Sequence, residues 1–309
     1  MARRKKSGRD LTGMLIVDKP SGVSSNRVLQ IVKRLFQANK AGHTGTLDPL
    51  ASGVLPICLG EATKLSTYLL DADKRYQVTC RLGIATDSGD SDGEVIAEKP
   101  LPIFTADTLL ELLPDFTGQQ TQIPPMFSAL KHQGQPLYKL ARQGIEIKRK
   151  ARQITIYDLQ LLAVTNDSFT LEVACSKGTY IRTLVQDIAA AMGSCGHVVI
   201  LRRTAAAGYD LTHAVPLAII ESMAEQEDKM LLDQQLLPAV DALPDWPLVA
   251  LNEEQTKQLY FGQPVACSPL ENSAEIRLLD HSGEFIGLAQ IDADGVIKAK
   301  RLFVREQTQ

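Results

Sequence analysis

In the stretch SSNRVLQIVKRLF (24–36), apolar residues at 28, 29, 31, 32, 35 and 36 recur at helical spacing behind a Ser/Asn cap, which predicts an amphipathic helix. The period then changes. In YQVTCRLGI (76–84), Tyr76, Val78, Cys80, Leu82 and Ile84 alternate with their neighbours and predict a half-buried strand. FTLEVACSKG (169–178) alternates in the same way and runs into TYIRTLVQDIAAAMG (179–193), a helix with Thr179 expected as N-cap and Gly193 as C-cap. LLPAVDALPDWPL (236–248) carries three prolines and no sustained period, so it reads as a linker. Beyond it AEIRLLD, EFIGLAQID and VIKAKRLFV, separated by HSG and DADG, predict a compact all-β module.

A chain of 309 residues with 44% hydrophobic residues can bury a sizeable core, and its length suggests one large domain and one small one. The longest apolar runs, such as HVVIL, fall far short of the roughly 18 residues of a membrane helix. The basic start MARRKKSGRD is not followed by the apolar segment of a secretory signal, so a cytoplasmic protein is expected. Five cysteines are scattered and never spaced Cys-x-x-Cys, which argues for reduced, structural thiols rather than disulfides or a zinc site. Charge is uneven: residues 1–200 carry 24 Lys and Arg against 19 Asp and Glu, and residues 201–309 carry 9 against 17. A polyanion should favour the first two thirds.

No phosphate-binding glycine loop, dinucleotide fingerprint, H-E-x-x-H or G-x-S-x-G occurs, so nucleotide hydrolysis, hydride transfer, zinc peptidase and esterase chemistry lose their usual support. GHTGTLDPLASG (42–53) holds one carboxylate, Asp48, among small residues. Asp-Pro is a common way to open a turn, so spacing alone leaves Asp48 between turn residue and reactive group. Tyr76, on an apolar strand face, is equally open between core and site. Arg182 falls in the first turn of its helix, where the dipole disfavours a cation; a carboxylate from elsewhere would offset that, and a solvated arginine would tolerate it as well. His43 sits between glycines on a polar loop with no second ligand nearby. Lys131, Lys139, Arg142, Lys148, Arg149, Lys150 and Arg152, interleaved with Tyr138, combine phosphate-neutralising charge with an aromatic for stacking, and an ordinary solvated charged face is the other reading.

Taken in order, GMLIVDKPSGVSS (13–25), GHTGTLDPLASGVLPICLGEATK (42–64), DKRYQVTCRLGIATDSGDSDGEV (73–95) and CSKGTYIRTL (175–184) resemble the TruB family of pseudouridine synthases, and the likeness extends over essentially the whole chain. The resemblance implies an α/β (α+β) fold: a mixed, largely antiparallel pseudouridine-synthase sheet with flanking helices and a thumb insertion near 124–152, plus a small C-terminal PUA-type β-barrel. The domains implied are a basic N-terminus expected to be disordered (1–10), a catalytic domain (11–245) and an RNA-binding module (246–309).

The activity implied is isomerisation of uridine 55 in the T loop of tRNA, with the base flipped and no cofactor or metal. The partner implied is the tRNA T-arm, with no membrane and no obligatory protein partner, and nothing demands more than a monomer. By the same resemblance Asp48 is the nucleophile or base, Arg182 its basic partner, and Tyr76 the active-site tyrosine. His43, Tyr180 and Leu201 would contact the target uridine, and Lys19, Pro20 and Lys64 would support the pocket. A tRNA-folding chaperone or RNA-binding protein with incidental catalysis is the alternative; it would not need Asp48, Tyr76 and Arg182 together.

Overall fold

The computed structural model describes residues 8–226, 229–267 and 274–304. A ten-stranded mixed sheet dominates it. Across the sheet the strands run 215–216, 13–19, 52–59, 196–206, 74–82, 168–175, 152–164 and 118–122, with 209–210 and 41–43 attached at the side. Most pairings are antiparallel. The exceptions are Val215–Pro216 against the 13–19 strand and the brief contact of Ser52–Gly53 with Arg202–Arg203.

The alternation expected from residue 76 is present: strand Lys74–Leu82 buries every second residue. It stops at Leu82 because Gly83 takes φ +86, and Ile84 opens a separate short strand, Ile84–Thr86. Helix Ser25–Leu35 forms as its periodicity predicts, with the Ser24 side chain accepting from Arg27 N, and it lays Val28, Leu29 and Val32 against the sheet core. The helix after strand Ser168–Cys175 begins later than expected, at Ile181, with Tyr180 and not Thr179 in the cap position. The Thr179 hydroxyl donates instead to Ser176 O (3.0 Å), and Tyr180 stays extended because its N–H donates to Gln122 Oε1 (2.8 Å). At the other end Met192 is the cap and Gly193 follows it in the left-handed region (φ +78).

The C-terminal PUA-type module is a curled five-stranded half-barrel, ordered 248–250, 274–279, 285–291, 296–302, 265–266. Its own core includes Ile276, Leu278, Ile286 and Ile297, but Leu288 and Phe303 belong to a cluster shared with Met14 and Ile16 of the large sheet and with Leu65 and Leu69 of the short helices Gly60–Leu65 and Ser66–Leu70. The proline-rich segment before it is fastened down. Arg277 donates to Val240 O (2.8 Å), Pro244 O (3.0 Å) and Trp246 O (2.9 Å), and Trp246 meets Tyr68 edge to face at 5.1 Å. Of the N-terminal stretch expected to be disordered, residues 1–7 lie outside the described residues; Arg9 N donates to Gln37 O (2.6 Å) and its guanidinium pairs with Asp233. Among the described residues no helix is long and apolar enough to cross a membrane.

Candidate active site

The loop carrying Asp48 joins strands Ala41–His43 and Ser52–Leu59, and it is tied down on several sides. Ser25 Oγ accepts from Leu47 N (2.7 Å) and donates to Leu47 O (2.9 Å). Gly22 N donates to Pro49 O (2.8 Å), and Arg203 Nη2 donates to Gly45 O (3.1 Å). Lys19, completely buried, spreads its ammonium over Pro20 O (2.9 Å), Val23 O (2.5 Å) and Pro49 O (3.3 Å). Where the loop rejoins the sheet, Gly53 has φ +102, and a Cβ there would lie 2.2 Å from Arg203 O, so only glycine fits. Asp48 does open a turn, since Ala51 N donates to its carbonyl (3.1 Å), but no helix follows. Its carboxylate belongs to Arg182.

Arg182, from the second position of helix Ile181–Ala191, brings Nε to 3.0 Å from Asp48 Oδ2 and Nη1 to 3.6 Å from Asp90 Oδ2. Its other protons go to Ser88 O (2.5 Å) and Phe127 O (2.7 Å), which links the helix to the acidic loop and to the root of the thumb. The cation that looked misplaced at a helix start thus has two carboxylates. Burial pushes Asp48 above the ordinary carboxylate value, and Arg182 and Lys19 pull it back against the like charges of Asp90 and Asp92. Burial also lowers Lys19, to about 8, with the Asp48 charge opposing.

A cavity of about 250 Å³ opens beside this pair, and Asp48, Tyr76, Tyr180, Arg182 and Leu201 all line it. Tyr76 is 9% exposed; burial raises its phenol, and the Arg203 guanidinium works against that rise. Other expected residues fall elsewhere. His43 is half-buried on the 41–43 strand outside the lining, with its imidazole pKa lowered by burial and by the Arg203 charge. Lys19 and Pro20 sit behind the loop. Lys64 does not line the cavity: it donates to Leu302 O (2.6 Å) and pairs with Glu61 (2.5 Å), which accepts from Val304 N (2.7 Å), so it clasps the C-terminal module.

On the thumb, Lys131, Lys139, Arg142, Lys148 and Lys150 are exposed, and Arg149 pairs with Glu146 (3.3 Å). Arg142 lies over the Tyr138 ring at 5.8 Å. Arg152 starts strand Arg152–Val164 and lies over the ring of Tyr180 (5.7 Å), at the cavity and not out on the thumb. Sequence reasoning missed Asp90, Lys74 and Arg203. Asp90 is 4% exposed, accepts from Ser88 Oγ (2.5 Å) and faces Arg182; Lys74 and Arg203 line the cavity. Among the described residues no group of three or more His, Cys, Asp or Glu is placed to hold a metal ion.

The family model described as TruB family pseudouridylate synthase (N terminal domain) matches residues 33–181, and the tRNA pseudouridylate synthase B C-terminal domain matches 182–243. The model described as Pseudouridine synthase II TruB, C-terminal, matches 247–303. The tRNA pseudouridine synthase B of Pasteurella multocida (strain Pm70) is 51% identical over 306 residues, covering 99% of this chain and 99% of that protein. The chain belongs to the TruB family of pseudouridine synthases. A second TruB-family relative, the tRNA pseudouridine synthase B of Nitrosococcus oceani, is 49% identical over 300 residues, covering 97% of each. The TruB-family fold is also that of more distant structures. A chain of a Cbf5-Nop10-Gar1 complex superposes with a TM-score of 0.71 at 23% identity, over 94% of this chain and 85% of that one. One from an H/ACA RNP bound to a substrate RNA containing 2'-deoxyuridine gives 0.72 at 19% identity, over 99% and 92%.

Proposed function

We propose that this chain is a tRNA pseudouridine synthase that isomerises uridine 55 of the T loop, unaided by a protein partner and as a monomer. The observation that carries the reading is the Asp48–Arg182 pair, 3.0 Å apart on the wall of a cavity that also holds Tyr76. A stacked base cannot reach that wall. The uridine is therefore flipped out, at a cost of a few kcal/mol in lost stacking, which the exposed cations of the thumb offset by holding the phosphates.

Isomerisation needs the C1′–N1 bond broken and a C1′–C5 bond made. As the first bond breaks, positive charge builds on the sugar, and an ionised carboxylate beside it attacks C1′ or takes the C2′ proton. Asp48 supplies that carboxylate, and Arg182 favours its ionised form against the effect of burial. Tyr76 offers its ring as a stacking surface for uracil and its hydroxyl for proton transfer. Lys19, bonded to Pro49 O, fixes the loop at the residue after the carboxylate.

The purified chain is tested on an unmodified tRNA transcript alone, with the product mapped by carbodiimide labelling and primer extension. One new pseudouridine at position 55 is expected. No new pseudouridine, or one only at another position, overturns the proposal.

A further inference from the structure

Three arginines lie at or near the site, Arg182 on helix Ile181–Ala191 and Arg202 and Arg203 on strand Gly196–Ala206, and they differ in their counter-ions. Arg182 has Asp48 and Asp90, and Arg202 holds Asp18 through two hydrogen bonds (3.1 and 2.7 Å). Arg203 has none: among the described residues no carboxylate lies within 4.0 Å of its guanidinium. It is nevertheless 1% exposed, and donates to Val54 O (2.7 Å) and Gly45 O (3.1 Å). Lys74 is similar, being 8% exposed, donating to Leu70 O (2.7 Å) and Ala72 O, and lacking, among the described residues, a carboxylate within the same distance. A buried guanidinium without a counter-ion is unfavourable to the fold, because dipoles of carbonyls replace only part of the lost hydration, and burial together with the Arg203 charge lowers the pKa of Lys74.

Their positions divide the cavity by charge. Arg203 and Tyr76 are direct cross-strand partners, and Lys74 lies two residues before Tyr76 on the same face. The cations acting on Asp48 are Arg182 and Lys19, whereas Arg203 acts on Tyr76 and on Lys74. One part of the cavity therefore holds a compensated ion pair, and the part around Tyr76 holds uncompensated positive charge.

The chemistry proposed for the site accounts for this arrangement. When C1′–N1 breaks, the bonding electron pair stays with uracil and spreads over N1, O2 and O4. Asp48 meanwhile loses its charge, by bonding C1′ or by taking the C2′ proton, so the negative charge passes from the Asp48 side to the base whichever route is followed. It returns to Asp48 as C5 bonds to C1′, either because the C1′–O bond to Asp48 breaks or because Asp48 gives its proton back to C2′; the C5 proton then leaves to solvent while N1 takes one up, so the product is neutral. Resting on that reading of the site, we propose that Arg203, backed by Lys74, stabilises the detached uracil anion. A cation already neutralised by a carboxylate would serve this poorly; an uncompensated one, fixed before the reaction, serves it well.

The test is a single-turnover comparison of two tRNAs, one with uridine and one with 5-fluorouridine at the target position, read as loss of the parent nucleoside from a digest. Fluorine withdraws electrons and makes the detached base intrinsically more stable, so it needs the cation less. Arg203→Met should slow conversion of uridine by about 100-fold, as removal of one preorganised donor does elsewhere, with much less slowing for 5-fluorouridine, an unchanged Kd for tRNA, and partial recovery in Arg203→Lys. Equal slowing on both substrates, or a loss explained by tRNA affinity alone, overturns the proposal. If Arg203→Met does not fold, as judged by circular dichroism, Lys74→Met at the cavity wall carries the same comparison with the same two outcomes. Failure of the unsubstituted enzyme to convert uridine at all would instead sink the underlying function.

Discussion

Replacing Arg182 by Met removes the cation from Asp48 while leaving the carboxylate in place. Unit charges 3.0 Å apart attract by about 5 kcal/mol at an effective dielectric constant near 20. Asp48 keeps 36% of its side-chain exposure, so screening cuts the effect on its ionised form to about 2–3 kcal/mol. That corresponds to about 1.5–2 pKa units, added to a carboxyl that burial already raises. The sign is fixed: without the cation Asp48 ionises at higher pH, so the acid limb of the single-turnover rate moves up by about 1.5–2 pH units, and activity recovers as pH rises. The same substitution strands buried Asp90 and leaves Ser88 O and Phe127 O without donors, so about 3–5 kcal/mol of stability is lost as well. Single-turnover rates between pH 5 and 9, on protein verified as folded, separate the two effects. A folded Arg182→Met enzyme whose pH profile superimposes on that of the unsubstituted enzyme would refute the role given to the pair.

Other consequences are as direct. Because the folded state raises the Asp48 pKa, ionising it costs stability as pH rises above the ordinary carboxylate value; Asp48→Asn should raise the Tm at pH 7 by about 2–4 °C per kcal/mol relieved, with the gain shrinking in acid. Calorimetry across that range checks it. Glu61 behaves in the opposite sense: burial pushes it up, but hydrogen bonds from Lys64, Val304 and Lys40 outweigh that and hold it at about 2. Its contribution is present above its unfolded value near 4.5 and is lost as pH falls through about 2, so Glu61→Gln should lower the Tm at pH 7 and speed amide exchange at residues 302–304, with most of the Tm difference gone at pH 2. Neutralising Lys148, Arg149 and Lys150 together should weaken tRNA binding and flatten its log–log salt dependence by about 2–3, at 0.7–0.9 per phosphate contact; an unchanged slope would remove this face from the interface.

What could be read from the chain follows from what is local. The strand at 74–82 and the helix at 25–35 each bury one face, so their periods are written in consecutive residues. The delayed start of the helix at Ile181 was not legible, because it depends on the Gln122 side chain, 58 residues away, holding Tyr180 extended. Arg203 was hidden for a different reason. Its strand breaks register against 74–82 between Val198 and Ile200 and again between Arg203 and Ala205, so alternation does not carry through, and a charged residue at that point reads as solvent-facing. Asp48 and Arg182 looked like a turn residue and a misplaced cation, and each anomaly is resolved by the other.

The central claim is that Asp48 performs chemistry on one uridine of tRNA. Tritium release from a transcript labelled with [5-³H]uridine measures it, comparing the unsubstituted chain, Asp48→Asn, and a transcript with cytidine at the target position. Release that requires both Asp48 and that uridine is the predicted result. Full release by Asp48→Asn, or none by the unsubstituted chain despite tight tRNA binding, would contradict the account.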